Sequence, residues 1–395
     1  MILELHVIQN FAPANLNRDD TGTPKDAIFG GYRRARVSSQ SWKRAIRKHF
    51  ENESQLDGNQ LGVRSKRVVN YLQNTLSDSG RPEDQAQRVA IALLQGLGLK
   101  ANQDEDTGEW LTEYLLFLGT TELEALARVA TSHWDALVAA ADQAGTGNKK
   151  SKKATIPEEV QSAAKAALTG SSAADLALFG RMLADLPDKN IDGAAQVAHA
   201  ISTNAVEFQY DYFTAVDDLN TRDEPGAGMI GDVGFNSATF YRYTNVDVNA
   251  LITNLDGNAG LAQDTLRAYA EAFLVSIPTG KQNSFAAQNL PTLAVAIVRE
   301  KGRWALTNAF VNPAQHGRDR DLVADSIDKL GRHWNALVEM YGRGEKVTPI
   351  VLCDPAYKHQ AKSFCDDAET CDQLVTNIDI WLTRIDEALQ TGNQG

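Results

Sequence analysis

The sequence predicts an α+β fold, on three observations. The chain opens on an alternating segment that leads through a loop into an amphipathic helix, an order that suits a ferredoxin-like core. A tract from about Leu61 to Leu186 is poor in aromatic and β-branched residues and rich in Ala, Leu, Gln and Glu, a helical composition set inside that core. Two aromatic strands then flank a long glycine-bearing tip, the pattern of an extended β-hairpin arm.

At 395 residues the chain has room for two or three domains, or one with large insertions, and 43% hydrophobic content supplies a core. No run is long enough to span a bilayer and Met1 to Leu5 does not read as a signal peptide, so a cytoplasmic protein with no membrane partner is expected. The three cysteines, Cys353, Cys365 and Cys371, are too few for a disulfide framework. His359 falls between them, yet no two ligands stand at the close spacing of a zinc site, so reduced structural thiols and no metal are expected. The formal net charge of -12 argues against a general coat for nucleic acid, but it is compatible with a positive groove in a negative exterior.

The elements follow in order. Leu3, Leu5 and Val7 alternate with Glu4, His6 and Ile8 as an opening strand. Asn10 to Gly31 reads as an irregular loop. Ser38 and Ser39 stand at an N-cap, after which Trp42, Ala45, Ile46, His49 and Phe50 share one helical face. Gly145 to Lys153 reads as a flexible basic loop within the helical tract. Ala194 to Thr203 is predicted helical, Val206 to Val216 a strand, Asp217 to Gly231 a loop, and Phe235 to Val246 a second strand. Met229 and Ile230 form an apolar pair in that polar loop, which asks for a cover from another subunit or a stacked base. A helix over Ala259 to Val275, a loop over Pro278 to Pro291 and a strand over Leu293 to Val298 come next. A long helix from Arg318 to Tyr341, a strand from Val347 to Leu352 and a terminal helix from Asp372 to Leu389 complete the chain.

One stretch runs against the acidic background. Between Lys25 and Lys48 stand Lys25, Arg33, Arg34, Arg36, Lys43, Arg44, Arg47 and Lys48, opposed only by Asp26. Alone, the helical part of this run is an ordinary solvated face. Phe29-Gly30-Gly31, which allows close backbone approach, and Arg33-x-x-Arg36 tip the reading towards a polyanion site, with the helix N-terminus adding donors. Lys281 and Gln282 beside Gly280 are a weaker second place for a phosphate. A competing enzymatic reading has Asp19, Asp20 or Asp26 hold Mg²⁺ for phosphodiester cleavage. Aspartates in loops are more often turn chemistry, and no nucleotide-binding, nucleophile-elbow or metalloprotease motif is present.

LNRDD at Leu16, KDAIFGG at Lys25 and SSQSWKRAIRK at Ser38 resemble the CasC family in order and spacing. FGRM at Phe179, AHAIST at Ala198, YFTAVDDL at Tyr212, FYRY at Phe240 and GKQNSFAA at Gly280 extend the resemblance over most of the chain. That family supplies the backbone subunit of the type I-E CRISPR surveillance complex, Cascade, within the RAMP superfamily. The resemblance implies an RRM-like, ferredoxin-like palm from residues 1–60, 191–202 and 236–395, with helical fingers at 61–190 and a thumb hairpin at 203–235. It further implies a non-catalytic subunit without cofactor, whose copies stack along CRISPR RNA beside other Cascade subunits and leave the guide free to pair with target DNA. On matching positions Lys25, Gly30, Gly31, Arg33, Arg34, Ser39, Gln40, Lys43, Arg44 and Lys48 contact the RNA, Arg181, Lys281 and Gln282 complete its channel, and Met182 and Ile230 wedge at each kink.

Overall fold

The structure, a computed structural model, describes residues 1–145, 155–215, 229–342, 347–365 and 374–392. Its strands in chain order are β1 (Ile2–Ala14), β2 (Asp26–Phe29), β3 (Tyr32–Val37), β4 (Gly62–Ser65), β5 (Ala101–Gln103), β6 (Trp110–Thr112) and β7 (Leu116–Gly119). They continue with β8 (Ala195–Val197), β9 (Ala200–Ser202), β10 (Gln209–Ala215), β11 (Met229–Asp247), β12 (Leu293–Arg299) and β13 (Ile350–Cys353). The chain divides into two compact units, one of residues 1–54, 195–248 and 266–395, the other of residues 55–194 and 249–265.

The first unit is built on one sheet, ordered β13-β12-β1-β11-β9-β3-β2, with β8 and β10 also paired to β11. Strand β1 sits between β12 and β11 and is antiparallel to both. Its alternation is real, but both of its faces are buried: Leu3, Leu5 and Val7 on one side, Glu4, His6 and Ile8 on the other. The polar side chains survive there because each is partnered. Glu4 meets Arg299 at 2.8 Å and accepts hydrogen bonds from the Tyr243 hydroxyl (2.7 Å) and the Trp304 backbone N–H. A buried charge so paired avoids the cost of an isolated one. The Tyr241 hydroxyl accepts from the Leu306 N–H and shares a hydrogen bond of 2.8 Å with His6 Nδ1.

Helix α1 (Ser39–Asn52) buries the predicted face of Trp42, Ala45, Ile46, His49 and Phe50. Trp42 is the anchor: its ring covers the buried Arg242 guanidinium of β11, 3.6 Å from the ring centroid, and Phe273 covers the same guanidinium at 4.4 Å. The basic positions of α1 therefore face away from the sheet.

Several stretches differ from the sequence reading. Asn10 to Gly31 is not one irregular loop, because β1 runs on to Ala14 and β2 and β3 form a hairpin. Ala194 to Thr203 is not helical but forms β8 and β9, whose partner β11 lies far along the chain and overrides local alanine propensity. The loop Pro278 to Pro291 carries a short helix, Gln282–Phe285, flanked by left-handed Lys281 and Ala286. The long helix begins later than expected, at Leu322, where the Asp321 side chain accepts from the Ala324 N–H. The terminal helix spans Ile378–Gly392.

The second unit is mainly helical. Helices Val68–Asp78, Glu83–Gly96, Thr120–Ser132, Trp134–Gly145 and Glu158–Ala167 pack around Leu72, Leu93, Leu126 and Leu137. Two short ribbons, β4 with β7 and β5 with β6, accompany them. Among the described residues, no helix is long and apolar enough to cross a membrane.

Candidate nucleic-acid interface

A groove of about 590 Å³ runs along the exposed side of α1 in the first unit. Helix positions Ser41, Arg44, Lys48 and Asn52, one or two turns apart, form its floor. Asn17, Arg18 and Asp19 form one wall, and Ser276 to Gly280 the other. Arg18, Arg44 and Lys48 are exposed and Lys48 pairs with Glu51 at 2.5 Å. An exposed pair of that kind is worth little and yields readily to a phosphate. Gly280 is required where the walls meet, since a Cβ there would lie 2.3 Å from the Leu16 carbonyl oxygen.

A second basic group surrounds the start of α1. The Ser39 N–H donates to His199 Nδ1 at 3.0 Å, so one donor of the helix terminus is already taken. Ser38 serves as N-cap through its backbone, and its own N–H donates to Asn17 Oδ1. His199 is exposed, and partial burial together with the charges of Arg36 and Lys25 lowers its pKa. Gln40 is exposed beside it, and Lys43 is half-buried, with its pKa lowered by burial.

The structure thus gathers Arg44 and Lys48 on one groove and Lys25, Ser39 and Gln40 at its head. Arg33 is exposed, 3.3 Å from Asp26, with Phe208 beneath it at 5.3 Å. Gly31 has φ +82° and open space around it. Lys281 is half-exposed at φ +51°, and Gln282 turns inward, donating to the Pro278 and Ala287 carbonyls. Met229 and Ile230 begin β11 rather than lying in a loop, paired with Ala215 and Thr214; their side chains lie outside the described residues, as do the lysine-rich loop and Cys371.

Three of the predicted contacts are placed elsewhere. Arg34 is fully buried and donates to the carbonyls of Ser202 (3.1 Å), Thr203 (2.7 Å) and Phe310 (2.6 Å), so it holds β3 in the sheet and cannot reach a phosphate. Gly30 makes its close approach to the protein itself, because a Cβ would fall 2.1 Å from the Val311 carbonyl oxygen. Arg181 is buried in the second unit on Glu122, while its neighbour Met182 is 78% exposed. Sequence reasoning missed Arg18 and His199 as site residues. Only the LNRDD and AHAIST motifs marked their neighbourhoods.

Asp19 and Asp26 are engaged. Asp19 Oδ1 accepts from the Thr21 hydroxyl and from the Thr21 and Thr23 N–H groups, and these bonds, the hydroxyl first, hold its pKa below the ordinary value. Asp26 faces Arg33. Among the described residues, no group of three His, Cys, Asp or Glu side chains is arranged to hold a metal ion. Cys353 is buried in the sheet core, and burial pushes its thiol up to about 12.

No curated protein matches this chain. Among solved structures it is similar to a chain of a "CRISPR RNA-guided surveillance complex, pre-nicking", with a TM-score of 0.82 and 29% identity over 97% of this chain and 100% of that one. A chain of a second "CRISPR RNA-guided surveillance complex" aligns with a TM-score of 0.72 and 25% identity, over 98% of this chain and 100% of that one. The likeness to CRISPR surveillance subunits carried by the sequence motifs therefore extends to the whole fold. The model of the CT1975-like protein family matches residues 3–377, and the chain belongs to that family.

Proposed function

We propose that this protein is a non-catalytic backbone subunit of a type I-E CRISPR RNA-guided surveillance complex, Cascade, that binds guide RNA. Its copies assemble along the guide, hold its phosphates and kink it at regular intervals, leaving the intervening bases to pair with target DNA. The observation that carries the binding reading is the groove on α1, where Arg18, Arg44 and Lys48 converge on an otherwise acidic protein. Such contacts address the backbone and carry no sequence information, so one protein accepts any guide.

The order β1, α1, β9, β11, helix Ala259–Val275, β12, with β12-β1-β11-β9 side by side, supports an RRM-like palm. The second unit corresponds in this reading to the fingers, and the β10–β11 pair to the thumb. The ribonuclease alternative draws on Asp19, Asp20 and Asp26. The turn bonds of Asp19 and the Arg33 contact of Asp26 favour the structural role.

The test is incubation of the purified protein with labelled single-stranded RNAs of unrelated sequence, across a salt series, with Mg²⁺ or EDTA. Intact RNA bound alike for every sequence in a multi-copy particle supports the proposal, with a log–log salt slope near -0.7 per phosphate neutralised. Mg²⁺-dependent fragments that vanish in EDTA make the protein a nuclease instead.

A further inference from the structure

The second unit holds one apolar side chain in an unusual way. Met182 is 78% exposed, yet its neighbours are both buried, Arg181 at 5% and Leu183 at 0%. Their backbone is pinned from both sides. Arg181 and Ile191 exchange N–H···O bonds of 2.9 Å, and the Leu183 N–H donates to Asn190 Oδ1 at 2.6 Å. Just upstream, Gly180 and Gly193 let two segments cross so closely that a Cβ on either would lie under 3 Å from the other's backbone. A flexible methionine is thereby set on a backbone that has little freedom to move.

The fixed point beneath it is one carboxylate. Glu122, 2% exposed on helix Thr120–Ser132, receives Arg181 Nη1 on both oxygens, at 2.9 and 2.7 Å. The same carboxylate accepts the Gly119 N–H (2.7 Å) and the Gly170 N–H (2.6 Å), while Arg181 Nε donates to the Lys189 carbonyl. Four segments of chain therefore meet at one buried ion pair. One guanidinium nitrogen held on both carboxylate oxygens, with Nε tied to a carbonyl, fixes direction as well as distance, which a hydrophobic contact does not.

We propose that Glu122 is a positioning residue for RNA kinking: through Arg181 it sets the backbone that presents Met182 to an unstacked nucleotide of single-stranded RNA. This rests on the reading of Met182 as the wedge. It replaces the expected phosphate contact of Arg181 with a supporting role. The mount is complete before RNA arrives, so the wedge enters the base stack without first being ordered.

The experiment uses the full chain assembled on guides that carry a single 2-aminopurine at successive positions, whose fluorescence rises where the base unstacks. The wild type gives bright positions at a fixed interval, and Met182→Ala loses them. Glu122→Gln, which keeps an acceptor but not the charge, loses the same bright positions, with unchanged far-UV circular dichroism and affinity. If Met182→Ala leaves the pattern intact, the wedge reading fails and the proposal with it. If Met182→Ala abolishes the pattern and Glu122→Gln keeps it, the wedge stands and the proposal alone is overturned. Hydrogen exchange on the free wild type gives an arm that does not depend on the variant folding. The Arg181 and Leu183 amides exchange as slowly as those of helix Thr120–Ser132, and fast exchange there overturns the proposal.

Discussion

Trp42 and Arg242 stack with the guanidinium carbon 3.6 Å from the indole centroid, joining the basic helix α1 to the centre of the sheet. The guanidinium also donates to Gln9 Oε1 at 2.6 Å and to the Phe273 carbonyl, and burial lowers its pKa to about 9. Truncating either partner strips α1 of its anchor. Trp42→Ala and Arg242→Ala are each expected to cost about 3 kcal/mol or more, with a coupling of about 1–2 kcal/mol in the double-mutant cycle. Urea unfolding measures both, and additive losses would refute the coupling.

Arg34 and Arg44 stand ten residues apart in a run of like charge and are expected to behave in opposite ways. Arg34→Ala leaves the Ser202, Thr203 and Phe310 carbonyls without their donor and lowers stability by about 3 kcal/mol, without weakening RNA binding by the folded protein. Arg44→Ala leaves stability within about 0.5 kcal/mol, weakens RNA binding for all sequences alike and reduces the salt slope by about 0.7. Filter binding and thermal unfolding on the two variants separate these outcomes.

The adjacent glycines of the β2–β3 turn make a second contrast. Gly31→Ala meets only the backbone penalty of φ +82° and costs about 1 kcal/mol. Gly30→Ala must also displace the Val311 carbonyl, so its cost is about 3 kcal/mol or more. Equal melting temperatures for the two variants would contradict the turn geometry.

The buried imidazole of His6 ties stability to pH. Burial, with a smaller contribution from Arg299, pulls its pKa from 6.5 down to about 3. Between those values the unfolded chain takes up a proton that the folded chain refuses. Its contribution is therefore full above pH 6.5 and is lost as the pH falls towards 3, at up to about 1.4 kcal/mol per pH unit. His6→Asn is expected to be less stable at pH 7.5 and to lose stability less steeply on acidification, as followed by urea unfolding at several pH values.

The sequence showed α1 residue by residue, since its apolar face repeats with the helical period and each such position is buried. It showed the groove cations Arg44 and Lys48 on the opposite face for the same reason, but not Arg18. It did not separate Arg34 from Arg33, because alternation along β3 says only that they point to opposite sides. What fills the Arg34 side is a set of carbonyls more than a hundred residues away. Arg181 was misplaced for a like reason, its partner Glu122 being 59 residues distant. The alanines of β8 and β9 read locally as helix, and only pairing with β11 makes them strands.

The central place of β1 bears on how the protein is made. It is made well before both strands that flank it, which are encoded far downstream, and the His6–Tyr241 bond spans 235 residues. At cellular rates of synthesis that interval lasts roughly 10–50 s. Through it the apolar Leu3, Leu5 and Val7 have no strand to pair with, while residues 55–194 emerge and pack locally. Closing so long a loop makes the sheet the slow step of folding. Nascent β1, unpaired and rich in β-formers, is the segment a chaperone has most reason to hold.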